Sequence, residues 1–214
     1  DFKTQARGGR GSRGSTTRNE DFLEEMFVAN THNYLLVFTQ KGKCFWMRVF
    51  EVPEGGKTSK GRAIQNMINI ENDDKVLAYI NVADLKDEEY IKNLNIVMCT
   101  KKGVVKKTSL DAYSRPRTNG IIAINVREGD ELLEAKLTTG NSQIIMALHS
   151  GRAIRFEESK VRTMGRGASG VRGITLAHPD DKVVGMICVD DVESSVMVVS
   201  DKGYGKRTAV DDYR

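Results

Sequence analysis

Cysteine, histidine and long apolar runs are all scarce in this 214-residue sequence. Its three cysteines, Cys44, Cys99 and Cys188, lie far apart and form no Cys-x-x-Cys pair, so we expect buried, reduced thiols and no disulfide framework. The three histidines are equally scattered, which argues against a metal centre. No stretch approaches the ~20 apolar residues of a membrane-spanning helix, and no signal-peptide pattern opens the chain. We therefore predict no membrane partner and a cytoplasmic protein.

Catalytic constellations are missing as well. Two segments match Gly-x-Gly-x-x-Gly, at 9–14 and 165–170, but a dinucleotide-binding loop must lie between a strand and a helix, and neither segment does. Gly56-Lys57-Thr58 resembles the end of a phosphate-binding P-loop, yet Glu51 stands where that motif requires its first glycine. We therefore predict a binding protein with no catalytic residue, no metal site and no cofactor of its own.

What the sequence does contain is a repeat. Apolar, β-branched runs joined by a short turn with glycine predict β-hairpins. Four such hairpins occur, with turn glycines at Gly42, Gly103, Gly151 and Gly203, which are 61, 48 and 52 residues apart. A period near 50 residues built from strands is typical of propeller-like arrays, in which neighbouring sheets stack to bury their faces.

Other parts of the repeat keep the same phase. About twenty residues after each of the first three turns, a small residue precedes isoleucine, at 63–64, 123–124 and 173–174. An aspartate then opens a further strand, at Asp74, Asp130 and Asp181. Each unit thus holds four strand-like runs. We predict an all-β protein, a propeller-like array of four-stranded blades of about 50 residues, with about three and a half repeats. The predicted boundaries are 21–92, 93–140, 141–192 and an incomplete 193–214.

The formal charge of +4 is concentrated in one place. Residues 1–18 carry five basic residues against one acidic residue, and the rest of the chain is neutral overall. This segment is rich in Gly, Ser and Thr and has no hydrophobic residue beyond Phe2 except Ala6, so residues 1–20 are interpreted as a flexible basic arm. Guanidinium groups bind phosphates in bidentate fashion, which favours nucleic acid as the partner over a simple linker role.

Basic residues also recur at particular phases of the repeat, in the hairpins and in the long loop that precedes each small-Ile step. Charges at one phase of a repeat align along one edge, which predicts a basic rim that binds a phosphate backbone. Lysines that only protect exposed strand edges are the alternative. The predicted rim comprises Lys41, Lys43, Arg48, Arg62, Lys102, Lys106, Lys107, Arg115, Arg117, Arg152, Arg155, Arg162, Arg166, Arg172, Lys206 and Arg207.

These segments resemble a known family. Residues 5–11, Gln-Ala-Arg-Gly-Gly-Arg-Gly, are similar to the gyrase A box, although Ala6 replaces a usually basic residue and Arg10 stands where lysine is common. Residues 28–32, 103–108, 170–174 and 203–210 resemble the blades that follow the box in the C-terminal domain of gyrase A, one of the two polypeptides of DNA gyrase, a bacterial type II topoisomerase. The box residues that match are Gln5, Arg7, Gly8, Gly9, Arg10 and Gly11.

The resemblance implies a β-pinwheel whose neighbouring blades exchange strands and whose rim bends duplex DNA without reading its sequence. It further implies that the parent enzyme uses the wrapped DNA for ATP-dependent negative supercoiling. The catalytic tyrosine, the ATP site and Mg²⁺ would lie elsewhere in the complex of gyrase A with gyrase B. The family typically has six blades, so we expect this monomeric chain to be truncated.

Three alternatives stay open at this point. The C-terminal domain of the corresponding polypeptide of topoisomerase IV has similar blades, but its box is degenerate or missing. An RNA-binding propeller with an Arg-Gly arm would instead prefer single strands to duplex. A propeller enzyme or a pure protein scaffold would bind DNA weakly and without dependence on the basic rim.

Overall fold

The computed structural model describes residues 4–12, 14, 17, 22–56 and 59–213. Within these residues the secondary structure is mostly β, with short 3-10 helices after the hairpins and one α-helix. The elements are β1 (Tyr34–Thr39), β2 (Lys43–Arg48), β3 (Val76–Val82), α1 (Glu88–Asn93), β4 (Asn95–Thr100), β5 (Val104–Ser109), β6 (Ile121–Ile122), β7 (Leu132–Thr138), β8 (Gln143–Leu148), β9 (Ala153–Glu157), β10 (Val171–Arg172), β11 (Val183–Val189), β12 (Ser195–Val199) and β13 (Gly205–Ala209). None of the described helices is long and apolar enough to cross a bilayer.

All four predicted hairpins are present. They are β1–β2, β4–β5, β8–β9 and β12–β13, and each is antiparallel with its turn glycine between the strands. The sheets have the orders β3-β1-β2-β6, β10-β5-β4-β7, β11-β8-β9 and β12-β13. We call the first three sheets blades 1, 2 and 3, and the last sheet the C-terminal hairpin. The all-β, propeller-like architecture predicted from the repeat is confirmed.

Adjacent blades exchange strands, as the resemblance implied. Strand β6 follows blade 2's hairpin in sequence but pairs with β2 of blade 1, and β10 likewise pairs with β5 of blade 2. The small-Ile steps continue this pairing: the Gly42 carbonyl accepts from the amides of Ala123 (2.8 Å) and Ile124 (3.2 Å). The Gly103 carbonyl is bonded in the same way by the amides of residues 173 and 174.

Strand exchange means that the four strands of one sheet do not come from one repeat. Each four-stranded blade takes three strands from its own repeat and a two-residue strand from the next repeat. The first copy of the step, Ala63-Ile64, forms no strand; a 3-10 helix begins at Ile64 instead. It precedes β3 of blade 1, the first sheet among the described residues.

The core lies between the blades. Alternate residues of a strand point to opposite faces, so each sheet supplies apolar side chains to two interfaces. Leu36, Phe38 and Ile80 of blade 1 pack with Ile96 and Met98 of blade 2. The opposite face of blade 2, with Val97 and Cys99, packs with blade 3. Stacking therefore buries surfaces that a single sheet would expose.

The repeated aspartates fasten the hairpin turns. Asp74 Oδ1 accepts from the amides of Lys41 (3.0 Å) and Lys75 (2.9 Å), and Asp130 Oδ1 accepts from those of Lys102 (2.9 Å) and Glu131 (2.8 Å). Asp181 takes the same position in blade 3. Each aspartate thus ties the turn to the start of the neighbouring strand, which explains why it recurs two residues before β3, β7 and β11.

The three cysteines lie partly or fully inside the protein. Cys44 and Cys99 are buried, as expected, and Cys188 is half-buried; burial raises the pKa of the Cys188 thiol to about 12.

Helix α1 was not predicted. Its N-cap, Asp87, accepts from the amides of Glu89 (3.0 Å) and Tyr90 (3.1 Å), a capping pattern that the sequence does contain.

Candidate nucleic-acid interface

The box forms a tight turn. The Gly9 amide donates to the Ala6 carbonyl at 2.9 Å, and Gly8 has a φ of +84°, as a type II turn requires at its third residue. Gln5 folds against the turn, because a Cβ added to Gly9 would lie 3.0 Å from Gln5 Oε1. Arg7, the second residue of the turn, and Arg10, the residue after it, are both exposed. The arrangement presents two guanidinium groups from one compact loop.

Several basic residues of the sequence analysis lie outside the described residues. They are Lys3, Arg13 and Arg18 of the arm and Lys57 of the blade 1 loop. The P-loop-like Thr58 lies outside them too.

Most of the predicted rim is exposed. The side chains open to solvent are those of Lys41, Arg48, Arg62, Lys102, Arg115, Arg117, Arg152, Arg162, Arg172, Lys206 and Arg207, whereas Lys43, Arg155 and Arg166 are half-buried.

Lys106 and Lys107 do not belong to an exposed rim, and the prediction that placed them there is wrong. Lys106 is 0% exposed and donates from Nζ to the carbonyls of Ala123 (2.6 Å) and Arg166. Lys107 Nζ donates to the Glu158 carbonyl at 3.0 Å and lies 3.9 Å from the Glu158 carboxylate. Both ammonium groups are used inside the protein, where they join blade 2 to the loops of its neighbour.

The buried position of Lys106 perturbs its titration. Burial, aided by the positive charge of Arg166, lowers the pKa of Lys106 to about 8. The two carbonyls that it contacts offset part of the desolvation cost of the ammonium. Lys106 is therefore a structural lysine whose charge is held at a cost in solvation.

Acidic residues meet the hairpin lysines of blades 1 and 2. Lys41 Nζ lies 3.0 Å from Glu71 and 2.6 Å from Asp73, and Lys43 also pairs with Glu71. These contacts raise the pKa of Lys41 and lower that of Glu71. Lys101 pairs with Glu131 in the equivalent place. Acidic residues therefore lie beside the basic residues at this phase of the repeat.

The physical reason lies in the antiparallel pairing of β1 with β3. The start of β3 lies beside the end of β1, so the acidic segment before β3 reaches the hairpin turn. In blade 3, Arg155 is similarly engaged: its Nη1 lies 2.7 Å from Asp211 Oδ1 in the segment after β13.

Other rim arginines line clefts beside the long loops that precede the donated strands. Arg48 and Arg117 line a cleft of about 410 Å³ between blade 1 and the loop before β6. Arg115, Arg117 and Arg166 line a cleft of about 230 Å³ between the loops before β6 and β10. The Arg48 guanidinium lies over the rings of Tyr34, at 5.2 Å, and Phe50, at 5.7 Å, which hold it in place.

The chain combines strand-exchanged blades with a Gly-Arg turn near its N-terminus, and most of its sequence matches a known domain family. The sequence profile described as "DNA gyrase C-terminal domain, beta-propeller" matches residues 1–30, 33–83, 94–139, 144–190 and 194–214. The chain belongs to the DNA gyrase C-terminal domain family. This confirms the resemblance stated from the box and the blade segments.

Curated relatives agree. The chain is 42% identical over 213 residues to the gyrase A polypeptide of Salmonella typhimurium and 44% identical over 214 residues to that of Staphylococcus epidermidis. Both alignments cover 100% of this chain but only 24% and 23% of the relatives. The chain thus spans about a quarter of the length of the gyrase polypeptides that it matches.

Solved structures of the family have the same fold. The C-terminal domain of a DNA topoisomerase IV superposes with a TM-score of 0.74 and 29% identity, covering 86% of this chain and 55% of that one. A DNA gyrase A C-terminal domain superposes with a TM-score of 0.71 and 21% identity, covering 99% of this chain and 66% of that one.

Proposed function

We propose that this gyrase C-terminal domain binds duplex DNA without sequence specificity and bends it around its basic rim. The exposed arginines and lysines that recur in the hairpins and long loops of successive repeats carry this proposal. Within a longer gyrase A polypeptide assembled with gyrase B, the wrapped segment would support ATP-dependent negative supercoiling. The parent protein would then be a cytoplasmic, nucleoid-associated topoisomerase, an isomerase that uses ATP and Mg²⁺ at sites outside this chain.

Phosphate contacts suit this task better than base contacts. Contacts to the backbone position DNA without reading sequence, and the release of counterions from the phosphates supplies affinity. Smooth bending of 20–30 base pairs by 40–90° costs on the order of 1–6 kcal/mol. Many separate cationic contacts along the rim can offset that cost. We therefore expect affinity to fall steeply with salt and to vary little with sequence.

The experiment that tests wrapping is ligase closure of nicked circular DNA with rising amounts of the chain. A shift in the linking number of the closed product, lost at high salt, is the expected result. Binding with no shift would contradict wrapping, and no binding of duplex would contradict the function as a whole. A preference for single-stranded RNA over duplex DNA would favour the RNA-binding alternative.

The box has a test of its own. Arg7→Ala with Arg10→Ala removes both exposed guanidinium groups of the turn, and we expect the linking-number shift to fall more than affinity for short linear duplex. Lys86→Ala with Lys92→Ala is the charge-matched control, since both lysines lie on or beside the acidic helix α1. An unchanged linking-number shift in the box variant would refute a role for the box.

Topoisomerase IV is the second candidate parent, because one of its C-terminal domains superposes with a TM-score of 0.74. The intact Arg-Gly-Gly-Arg-Gly turn at 7–11 favours gyrase. If the box variant wraps DNA as well as the unaltered chain does, that argument for gyrase is lost.

A further inference from the structure

The two clefts share one side chain. Arg117 lines the cleft beside blade 1 together with Arg48, and it also lines the cleft that contains Arg115 and Arg166. Four arginines from three successive repeats therefore line two clefts that meet at Arg117. We call this set, Arg48, Arg117, Arg115 and Arg166, the arginine row.

Strand exchange produces this arrangement. Arg117 and Arg166 belong to the long loops that lead into β6 and β10, the short strands donated to the preceding blade. Each donated strand brings its loop arginine across the blade boundary. The backbone of the loop before β10 is tied to blade 2, because the buried Lys106 Nζ donates to the Arg166 carbonyl.

The charge balance separates the row from the hairpin lysines. Each cleft has one carboxylate in its lining, Glu51 in the first and Asp111 in the second, against two and three arginines. Among the described residues, no guanidinium of the row lies within salt-bridge distance of an acid, whereas Lys41 and Lys43 are paired with Glu71 and Asp73. The row therefore carries excess positive charge that is available to a phosphate, and the paired Lys41 and Lys43 carry little.

We propose that the arginine row is the track on which DNA backbone phosphates lie between blade 1 and the loop before β10, and that Lys41 and Lys43 take no part. This inference rests on the proposed DNA-binding function and narrows it to particular side chains. Guanidinium groups in a cleft can hold phosphate oxygens in bidentate fashion, which an isolated surface lysine cannot. The row also explains how a rim with several neutralised lysines keeps its attraction for DNA.

The test compares two variants that lose the same charge. Arg117→Gln with Arg166→Gln removes two members of the row, and Lys41→Gln with Lys43→Gln removes two paired lysines. Affinity for a short fluorescent duplex is measured by anisotropy over a range of salt concentrations. Each lost phosphate contact reduces the magnitude of the slope of log binding constant against log salt concentration by about 0.9. The slope of the row variant should therefore shrink by about 1.8, and that of the lysine variant should hardly change.

Controls distinguish the possible outcomes. Circular dichroism checks that each variant is folded, and Arg117→Lys with Arg166→Lys should restore most of the slope because it restores the charge. Should the glutamine variant of the row fail to fold, the slope for the single variant Arg48→Gln, expected to fall by about 0.9, tests the same track. Equal losses in the row and lysine variants would overturn the track in favour of net charge alone. An unchanged slope in the row variant would overturn it too, while failure of the unaltered chain to bind duplex would instead overturn the proposed function.

Discussion

The turn glycine of blade 2, Gly103, has a positive φ and also lies close to the next repeat, whereas that of blade 3, Gly151, only has a positive φ. Comparing alanine substitutions at the two positions therefore separates the two effects. Gly103 and Gly151 have nearly the same φ, +87° and +85°, a region that L-residues avoid. A Cβ on Gly103 would lie 2.6 Å from the Ile174 carbonyl oxygen, whereas a Cβ on Gly151 would meet nothing within 4 Å. Alanine at either site therefore strains the turn, but only Gly103→Ala also forces adjacent blades apart.

The magnitudes follow from these contacts. Left-handed backbone costs a non-glycine residue about 1–2 kcal/mol, and both variants incur that cost. Gly103→Ala also disturbs two hydrogen bonds across the blade boundary, from the amides of Gly173 (2.8 Å) and Ile174 (3.2 Å) to the Gly103 carbonyl. At about 0.5–1.5 kcal/mol each, their loss adds about 1–3 kcal/mol. The effect of alanine on the unfolded chain is common to the two variants and cancels.

Urea unfolding followed by circular dichroism measures the difference. With a slope of about 2 kcal/mol per molar, Gly103→Ala should unfold at a urea midpoint roughly 0.5–1.5 M below that of Gly151→Ala. Fluorescence of Trp46, the single tryptophan, whose Nε1 donates to the Tyr113 carbonyl across blades 1 and 2, should give a coincident transition. Equal midpoints for the two alanine variants would refute the idea that close approach at Gly103 holds the blades together.

Two predictions concern pH. Burial raises the pKa of Asp181, but hydrogen bonds from Ser150 and from backbone amides outweigh this effect and lower the pKa to about 2. The ionised Asp181 therefore stabilises the folded chain above about pH 4, and this stabilisation is lost as pH falls toward 2. Asp181→Asn should therefore flatten the acid limb of stability measured by urea unfolding; the exposed neighbour Asp180→Asn is the control, and an equal effect of both would contradict the assignment. The pKa of Lys106 is lowered to about 8 in the folded protein, so between about pH 8 and 10.5 the folded chain binds fewer protons than the unfolded chain. Over this range the free energy of unfolding of the unaltered chain should rise relative to that of Lys106→Met by on the order of 2–3 kcal/mol. A pH-independent difference between these two proteins would show that the Lys106 ammonium is not desolvated.

Local pattern was sufficient for the hairpins. Strand alternation and a glycine that can adopt positive φ act within a few residues, so the turns at Gly42, Gly103, Gly151 and Gly203 could be placed from sequence alone. The period of these turns then indicated stacked blades, because a sheet with two apolar faces needs a neighbour on each. The box segment was recognisable for a similar reason, since its glycines and arginines are contiguous.

The fate of the individual cations could not be read in that way. Lys106 and Lys107 follow two valines in a hairpin strand, a local pattern that an exposed pair of lysines would share. They are buried because segments of the next repeat, which contain Glu158 and Arg166, cover β5. Lys41 and Lys43 are neutralised by acids about 30 residues away, brought there by the antiparallel pairing of β1 with β3.

The sequence by itself determined the repeat, the strands, the turns and the family, since these depend on residue types at short spacing. Only the tertiary structure decided which basic residues face solvent, which join blades and which stand together. Those outcomes depend on strand exchange, which brings together residues from neighbouring repeats that are far apart in sequence, such as Gly42 and Ala123. Burial and charge pairing are set by such distant neighbours, and the arginine row exists only once they meet.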